Sequence, residues 1–437
     1  MASGGHDDSS LVSAIVDDAG IPTRHQLLAS ITTNMIGNTI IQGLANSLDT
    51  LAGQAFGSGN KHLVGIHTQR MVYFILLCTA PLMALWWKAG DVLAPILPDR
   101  ELAELTGLYL RIMILRVPAF VLFECGKRYA QAQGIFNAAT YVLLLVAPFN
   151  ACLMWALVWH LGWGFIGGPI AIVFTENLMA LLLFLYLWLI DGYQCWGGFS
   201  KKALSNWKPM MRLAIPGMVM HVAEFAADEI LTIACAQFGA AQLAAQSALV
   251  TLTQITWTVP LAISIAASIR VANLIGAKAT DAATMAAVVV VVLGLIVTTL
   301  CTVLTAALRY HIPYWFTDDM EVVSIITKAL PIVMVMQFFD ATSAISHGLM
   351  RGIGYQEFGG YLNLVAYNLI AIPISFSTAF LLHWQIYGLW TGIAVGLGIV
   401  SVVEFWWLYR WDWEEAVADA EGRNEGIESA GCTSADM

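Results

Sequence analysis

Eleven stretches of roughly twenty or more mostly apolar residues follow one another with only short polar breaks, at about 27–48, 66–92, 106–126, 138–160, 165–190, 210–238, 243–270, 284–308, 324–350, 360–383 and 387–410. A run of this length matches the thickness of a hydrocarbon layer when coiled as a helix. Hydrophobic residues make up 59% of the chain and charged residues 11%, against about 25% charged in soluble domains. A water-soluble core cannot absorb that much apolar surface. A bilayer can, provided every backbone amide is satisfied inside a helix or a closed barrel. The runs lack the alternation of barrel strands, so the expected fold is an all-α membrane protein with about eleven transmembrane helices.

The first run is polar on one side, with Thr32, Thr33, Asn34, Asn38, Gln42 and Asn46. It reads as a helix lining a cavity, and Gln42 and Asn46 are candidates for that lining. Short loops carrying Lys61, Lys127, Arg128, Lys201, Lys202, Arg270, Lys278, Arg351 and Arg410 fall on one side of the count. That side is expected to be cytoplasmic by the positive-inside rule. No basic, aromatic-interleaved surface points to nucleic acid. The seven cysteines are scattered, without the spacing of a disulfide framework or zinc site. No phosphate loop, nucleophile elbow or metal cluster stands out, so neither an enzyme nor a cofactor is expected. The polar start of the chain shows no cleavable signal peptide.

The chain repeats itself. Gly57 and Gly276, Gly134 and Gly352, and Gly167 and Gly388 sit in similar short motifs and are 219, 218 and 221 residues apart. Three matches at one offset argue for two related halves. Both halves keep their basic loops on the same side, so the duplication is parallel, a plan known from transporters. The expected organisation is a polar N-terminal tail (1–26), an N-lobe of five helices (27–190), a cytoplasmic linker (191–209), a C-lobe of six helices (210–411) and an acidic C-terminal tail (412–437). The first half lacks a counterpart to the first helix of the second.

Ser47-Leu-Asp-Thr-Leu51 with Ala52-Gly-Gln-Ala-Phe-Gly57, Phe123-Glu-Cys125 with Lys127-Arg128 and Gln131-Ala-Gln-Gly134, Ala266-Ala-Ser-Ile-Arg270, and Phe339-Asp-Ala341 with Arg351-Gly352 occur in order. Together they resemble the helix-end motifs of the multidrug and toxic compound extrusion family, closest to its plant and fungal branch. The resemblance covers roughly residues 27–411 and departs in the absent first helix and the acidic tails. It implies two pseudo-symmetric six-helix lobes around a cavity. It also implies export of small organic, mainly cationic or amphipathic compounds in exchange for protons. Such a protein is expected to be a monomer in a plasma or vacuolar membrane. A sodium-coupled or lipid-moving relative, or a chain made inactive by the missing helix, are the other readings.

An ionisable side chain inside a span costs roughly 2.5–3.5 kcal/mol on insertion scales, so such residues pair, face a cavity or act. Glu224 sits near the midpoint of 210–238, with His221 three residues before it and Asp228 four after. At helical spacing the three share a face. Burial and clustering favour protonated carboxyls, so this face can exchange a proton for a cation; the alternative is a hydrogen-bonded network fixing the helix. The resemblance implies a cavity glutamate at Glu224 and a second acid at Glu229. It implies another at Asp340, whose other reading is a helix hydrogen bond involving Thr342 or Ser343. Thr251 stands near a place where the family carries a further acid. Glu176 is a candidate on physical grounds alone. Glu124 is expected to pair with Arg128 four residues on. Asp49 is expected to satisfy backbone donors of the Gln54–Gly59 turn. Gln54, Gly57, Arg270 and Arg351 belong to the helix-end motifs. Met218, Phe225 and Trp257 are candidates for a greasy cavity wall.

Overall fold

The computed structural model describes residues 37–95 and 100–432. Sixteen α-helices follow in order: α1 Thr39–Ala45, α2 Ser47–Gly57, α3 Lys61–Trp87, α4 Ala89–Leu93, α5 Arg100–Met113, α6 Val117–Ala132, α7 Asn137–Trp155, α8 Gly164–Leu189, α9 Lys208–Cys235, α10 Ala240–Gly276, α11 Thr280–Leu308, α12 Met320–Ile353, α13 Gln356–Val365, α14 Ile372–Phe376, α15 Gln385–Arg410 and α16 Trp413–Cys432. Among the described residues no strand interrupts them.

Nine described segments are long and apolar enough to cross a membrane. The expected eleven differ from these at two places. The expected span at 27–48 begins among residues outside the described ones, and its described part is α1 running into α2. The other is α9, long enough at 28 residues but carrying Lys208, Arg212, Glu224, Asp228 and Glu229. The composition that lowers its hydropathy is the same composition that makes it chemically interesting.

The chain packs as two compact units. One contains the described residues up to Ile41 together with Met71–Gln194; the other contains Gln42–Arg70 and Cys195–Met437. These packing units and the sequence halves are different divisions of the chain. In the packing, α2 and the start of α3 go with residues 195 onward rather than with the remainder of the first half. The segment after Gln194 is held within its own unit. Gln69 donates to the Gly198 carbonyl and Arg70 to that of Lys202, at 2.8 and 3.0–3.2 Å.

Lipid tails are as apolar as leucine, so helices in a bilayer associate through close packing of small residues and through polar contacts. The second unit follows this rule. Gly388, Gly392 and Gly396 recur every four residues along α15, and a Cβ at any of them would come within 2.4, 2.1 and 2.7 Å of atoms in the 371–379 stretch. That stretch departs from α geometry: Ala366–Ala371 and Ser377–Leu381 are π turns, with Pro373 between them. Extra carbonyls freed by such turns need partners, and Ser375 and Thr378 hydroxyls meanwhile donate to Leu389 and Gly388 carbonyls on α15. Further along, Trp390 Nε1 donates to Gln246 Oε1 at 2.9 Å, burying a polar link between α15 and α10. The outward side of α11 shows Val289, Val292, Ile296, Leu300 and Val303 exposed, which is the expected surface toward lipid.

The C-terminal residues are not merely an acidic tail. Helix α16 buries Ala416 and Ala420 against the ends of α10, α11 and α12. Lys278 pairs with Glu421, and Tyr355 donates to Asp419 at 2.7 Å.

Candidate functional site

The second unit's charged site residues sit on the long helices α9 and α12, whose faces are set by the 3.6-residue repeat. On α9, Gly217 lets α1 approach: its Cβ would lie 3.2 Å from the Gly43 carbonyl oxygen. This close approach brings Asn46, which joins α1 to α2, onto His221, with Nδ2 and Nε2 2.6 Å apart. An amide N–H can only donate, so His221 Nε2 accepts and Nδ1 carries the proton. That N–H faces Glu224 Oε2 at 3.6 Å. The other carboxylate oxygen of Glu224 accepts from Asn363 Nδ2 of α13 at 2.6 Å.

Asp340, on α12, lies within electrostatic range of Glu224, Asp228 and His347. Asp228 in turn interacts with Glu224, and the buried Tyr367 with all three acids. Glu224 and Asp340 are half-buried and Asp228 is exposed. Three carboxyl groups from two helices thus lie within electrostatic range of one another and of one buried phenol. Ser343 and Thr342 take no part in holding Asp340: their hydroxyls donate to the backbone carbonyls of Asp340, Phe338 and Phe339. Glu229, one residue on from Asp228, bears on Asp228 alone among these acids: neither Asp340 nor Tyr367 feels it. Gln42 is exposed, as is Phe225, while Met218 and Trp257 are half-buried.

Beside the acids lies a seam joining α2, α10 and α12. Asp49 is buried and faces Arg351 Nε at 4.0 Å, rather than the backbone of the Gln54–Gly59 stretch, most of which is itself helical. Arg351 also donates to Ser264 on α10 at 2.9 Å. Thr50 donates to the Arg351 carbonyl and Gln54 to the Gly352 carbonyl, at 2.5 and 3.2 Å, and Gln356 donates to Thr50 at 2.9 Å. Helices α2 and α10 cross at reciprocal glycines. A Cβ on Gly57 would lie 1.9 Å from the Asn273 oxygen, and one on Gly276 2.1 Å from the Gln54 oxygen. Arg270, expected in the same motif, is exposed on α10.

The other unit holds its own buried charges. Arg116 pairs with Glu176 at 3.0 Å, donates to Asn38 at 2.8 Å and lies over the Phe120 ring. Glu124 pairs with both Arg128 and Lys127 on α6. Glu176 therefore belongs to a different set of contacts from Glu224.

Two contributors to the site, Asn363 and Tyr367, were not singled out in the sequence, and neither were its enclosed neighbours His347 and Glu404. Glu404 had a signal, an acid in the interior of the 387–410 run. The other three are common polar or aromatic residues whose role depends on what they face. Among the described residues no three His, Cys, Asp or Glu side chains converge as metal ligands.

A helical membrane protein with carboxyl groups gathered inside one packed unit, beside a seam of tightly crossing helices, has the build of a solute transporter. A family profile described as MatE matches residues 26–156 and 216–377. An uncharacterised transporter of Saccharomyces cerevisiae is 40% identical over 90% of this chain and 57% of its own length. One of Schizosaccharomyces pombe is 37% identical over 89% of this chain and 73% of its own, and human multidrug and toxin extrusion protein 1 is 31% identical over 90% and 69%. The crystal structure of the eukaryotic MATE transporter AtDTX14 superposes with a TM-score of 0.85 at 27% identity, covering 91% of this chain and 90% of that one. The chain belongs to the multidrug and toxic compound extrusion family of membrane transporters. It spans little more than half the length of the Saccharomyces relative.

Proposed function

We propose that the chain exports small organic cations or amphipathic compounds in exchange for protons, by alternating access between two lobes. The observation that supports this reading is that Glu224, Asp228 and Asp340 lie within electrostatic range of one another and of the buried Tyr367. Carboxylates in such a group attract a cation, and a proton taken up by one of them removes that attraction. In the proposed cycle a proton on Glu224 favours release of the organic cation on the side away from the basic loops. The deprotonated cluster then binds a new cation from the cytoplasm. Asn363 donates to one oxygen of Glu224 and His221 faces the other at 3.6 Å, so the Asn363 bond orients the carboxyl group. The related extrusion proteins, named for multidrug and toxin export, are consistent with a broad organic substrate class.

The test is efflux from vesicles carrying a pH gradient, for wild type and Glu224→Gln. The substitution keeps the shape and the Asn363 contact but cannot release a proton. Gradient-driven efflux is expected to fall at least tenfold. Efflux of wild-type size in the variant would reject the proton role of Glu224, and dependence on a sodium gradient instead would assign the coupling to sodium.

A further inference from the structure

Glu404 is the most enclosed acid of the second unit, with no exposed surface. Its Oε1 lies 2.9 Å from His347 Nε2 on α12, and its Oε2 accepts from Ser346 Oγ at 2.5 Å. The contact to His347 is close but does not meet hydrogen-bond geometry, and it becomes an ion pair only when His347 is protonated. Gly359 of α13 closes over the pair: a Cβ there would lie 3.3 Å from Glu404 Oε1 and 3.8 Å from His347 Cδ2.

Two features separate this pair from a simple clamp between α12 and α15. It is within electrostatic range of the cavity acid, since Glu224 interacts with His347 and Glu404. His347 also lines a small cavity with Asn46, Arg351 and Gln356, with room of about 10 Å³, enough for one water. Asn46 is the residue that bonds His221, and His221 faces Glu224. A polar route therefore leads from Glu224 past the cavity to His347, and ends beside Arg351 at the seam.

We propose that His347 and Glu404 form a relay that receives the coupling proton from Glu224 and passes it toward the cytoplasm when the seam parts. This rests on the proton-coupled reading above. In the step, the O–H bond of the Glu224 carboxyl breaks and its electron pair stays on the carboxylate. An N–H bond forms at His347, the proton arriving through a water in the cavity that His347 lines, with His221 and Asn46 standing between that cavity and Glu224. The pair passes from a net charge of −1, neutral imidazole beside carboxylate, to zero. Release through the opened cavity restores the starting charge. The groups bearing on His347 are Glu404 from α15, Glu224 from α9, and Asp340 and Arg351 from its own helix. Asp49 of α2 acts through Arg351, His221 through Glu224, and Ser264 and Gln356 are neutral neighbours of the seam.

The test uses the purified full chain in liposomes, with tetraethylammonium as the probe. Two readouts are compared: accumulation driven by a pH gradient, and tracer exchange without a gradient. The variants are His347→Gln, Glu404→Gln, the double variant and Glu224→Gln. The relay predicts that the three relay variants keep exchange within about threefold while driven accumulation falls at least tenfold. Loss of both readouts in the single variants with recovery of both in the double variant would mark a structural ion pair and overturn the relay. Driven accumulation retained in the relay variants but lost in Glu224→Gln would overturn the relay alone. Driven accumulation retained in Glu224→Gln would overturn the proton reading on which it stands.

Discussion

Substituting Gly57 by alanine tests the seam directly. The new Cβ would sit 1.9 Å from the Asn273 carbonyl oxygen, while ordinary contact begins at 3.4 Å, so α2 and α10 must separate by 1.5 Å, the difference. Both sides are backbone, so no side chain can swing aside. Overpacking of this kind costs about 1–3 kcal/mol. The displacement also strains the hydrogen bonds from Thr50 and Gln54 to the end of α12, each worth about 1 kcal/mol. The closed seam is then weakened by about 3 kcal/mol, or roughly 100-fold in its equilibrium. Amide hydrogen exchange in nanodiscs reads this directly, at the amides of residues 54–58 and 273–277. Gly422→Ala, where nothing lies within 4 Å of the added carbon, serves as the control and leaves those amides unchanged. If Gly57→Ala altered their exchange by less than threefold, the close crossing of α2 and α10 would not be what holds the seam.

Two further expectations concern other parts of the chain. Arg116→Met leaves the half-buried Glu176 without its partner and should cost at most about 3–5 kcal/mol, most of it recovered in Arg116→Met/Glu176→Met; thermal unfolding in nanodiscs decides, and equal loss in both variants would refute the pairing. The Tyr355 phenol, outside the spans, is pushed up to about 12 by burial and by its hydrogen bond to Asp419, against about 10 for a free phenol. The neutral form is thus favoured when α16 is docked. Docking is at full strength below pH ~10 and weakens as the pH rises toward 12; Tyr355→Phe should abolish that dependence in the fluorescence of the neighbouring Trp411.

How much of this was legible beforehand differs by element. The spans at 138–160, 165–190, 284–308 and 387–410 read directly, because each is a continuous apolar run and the structure's helices begin and end within a few residues of them. Helix α9 was legible as a carrier of Glu224, His221 and Asp228 on one face, because that follows from spacing along one helix. Glu229 and Asp228 were harder to separate: they are adjacent, and which one meets Asp340 depends on how α9 is rotated against α12. Asp49 was read as a local cap because its own sequence neighbourhood is glycine-rich. Its neighbour in the fold, Arg351, is some three hundred residues away. The folded α16 was hidden by its acidic composition, and its docking rests on Ala416 and Ala420 meeting the ends of three other helices.

Residue order alone therefore settled the solvent this chain folds in, the helical state of its backbone and its family, since each depends on runs, spacing and motifs within short reach. Which acids share a neighbourhood, which histidine meets Glu404 and where two glycines let helices touch were decided by the packing. These are contacts between helices far apart in the chain, and their geometry depends on crossing angles and rotations that no local pattern encodes.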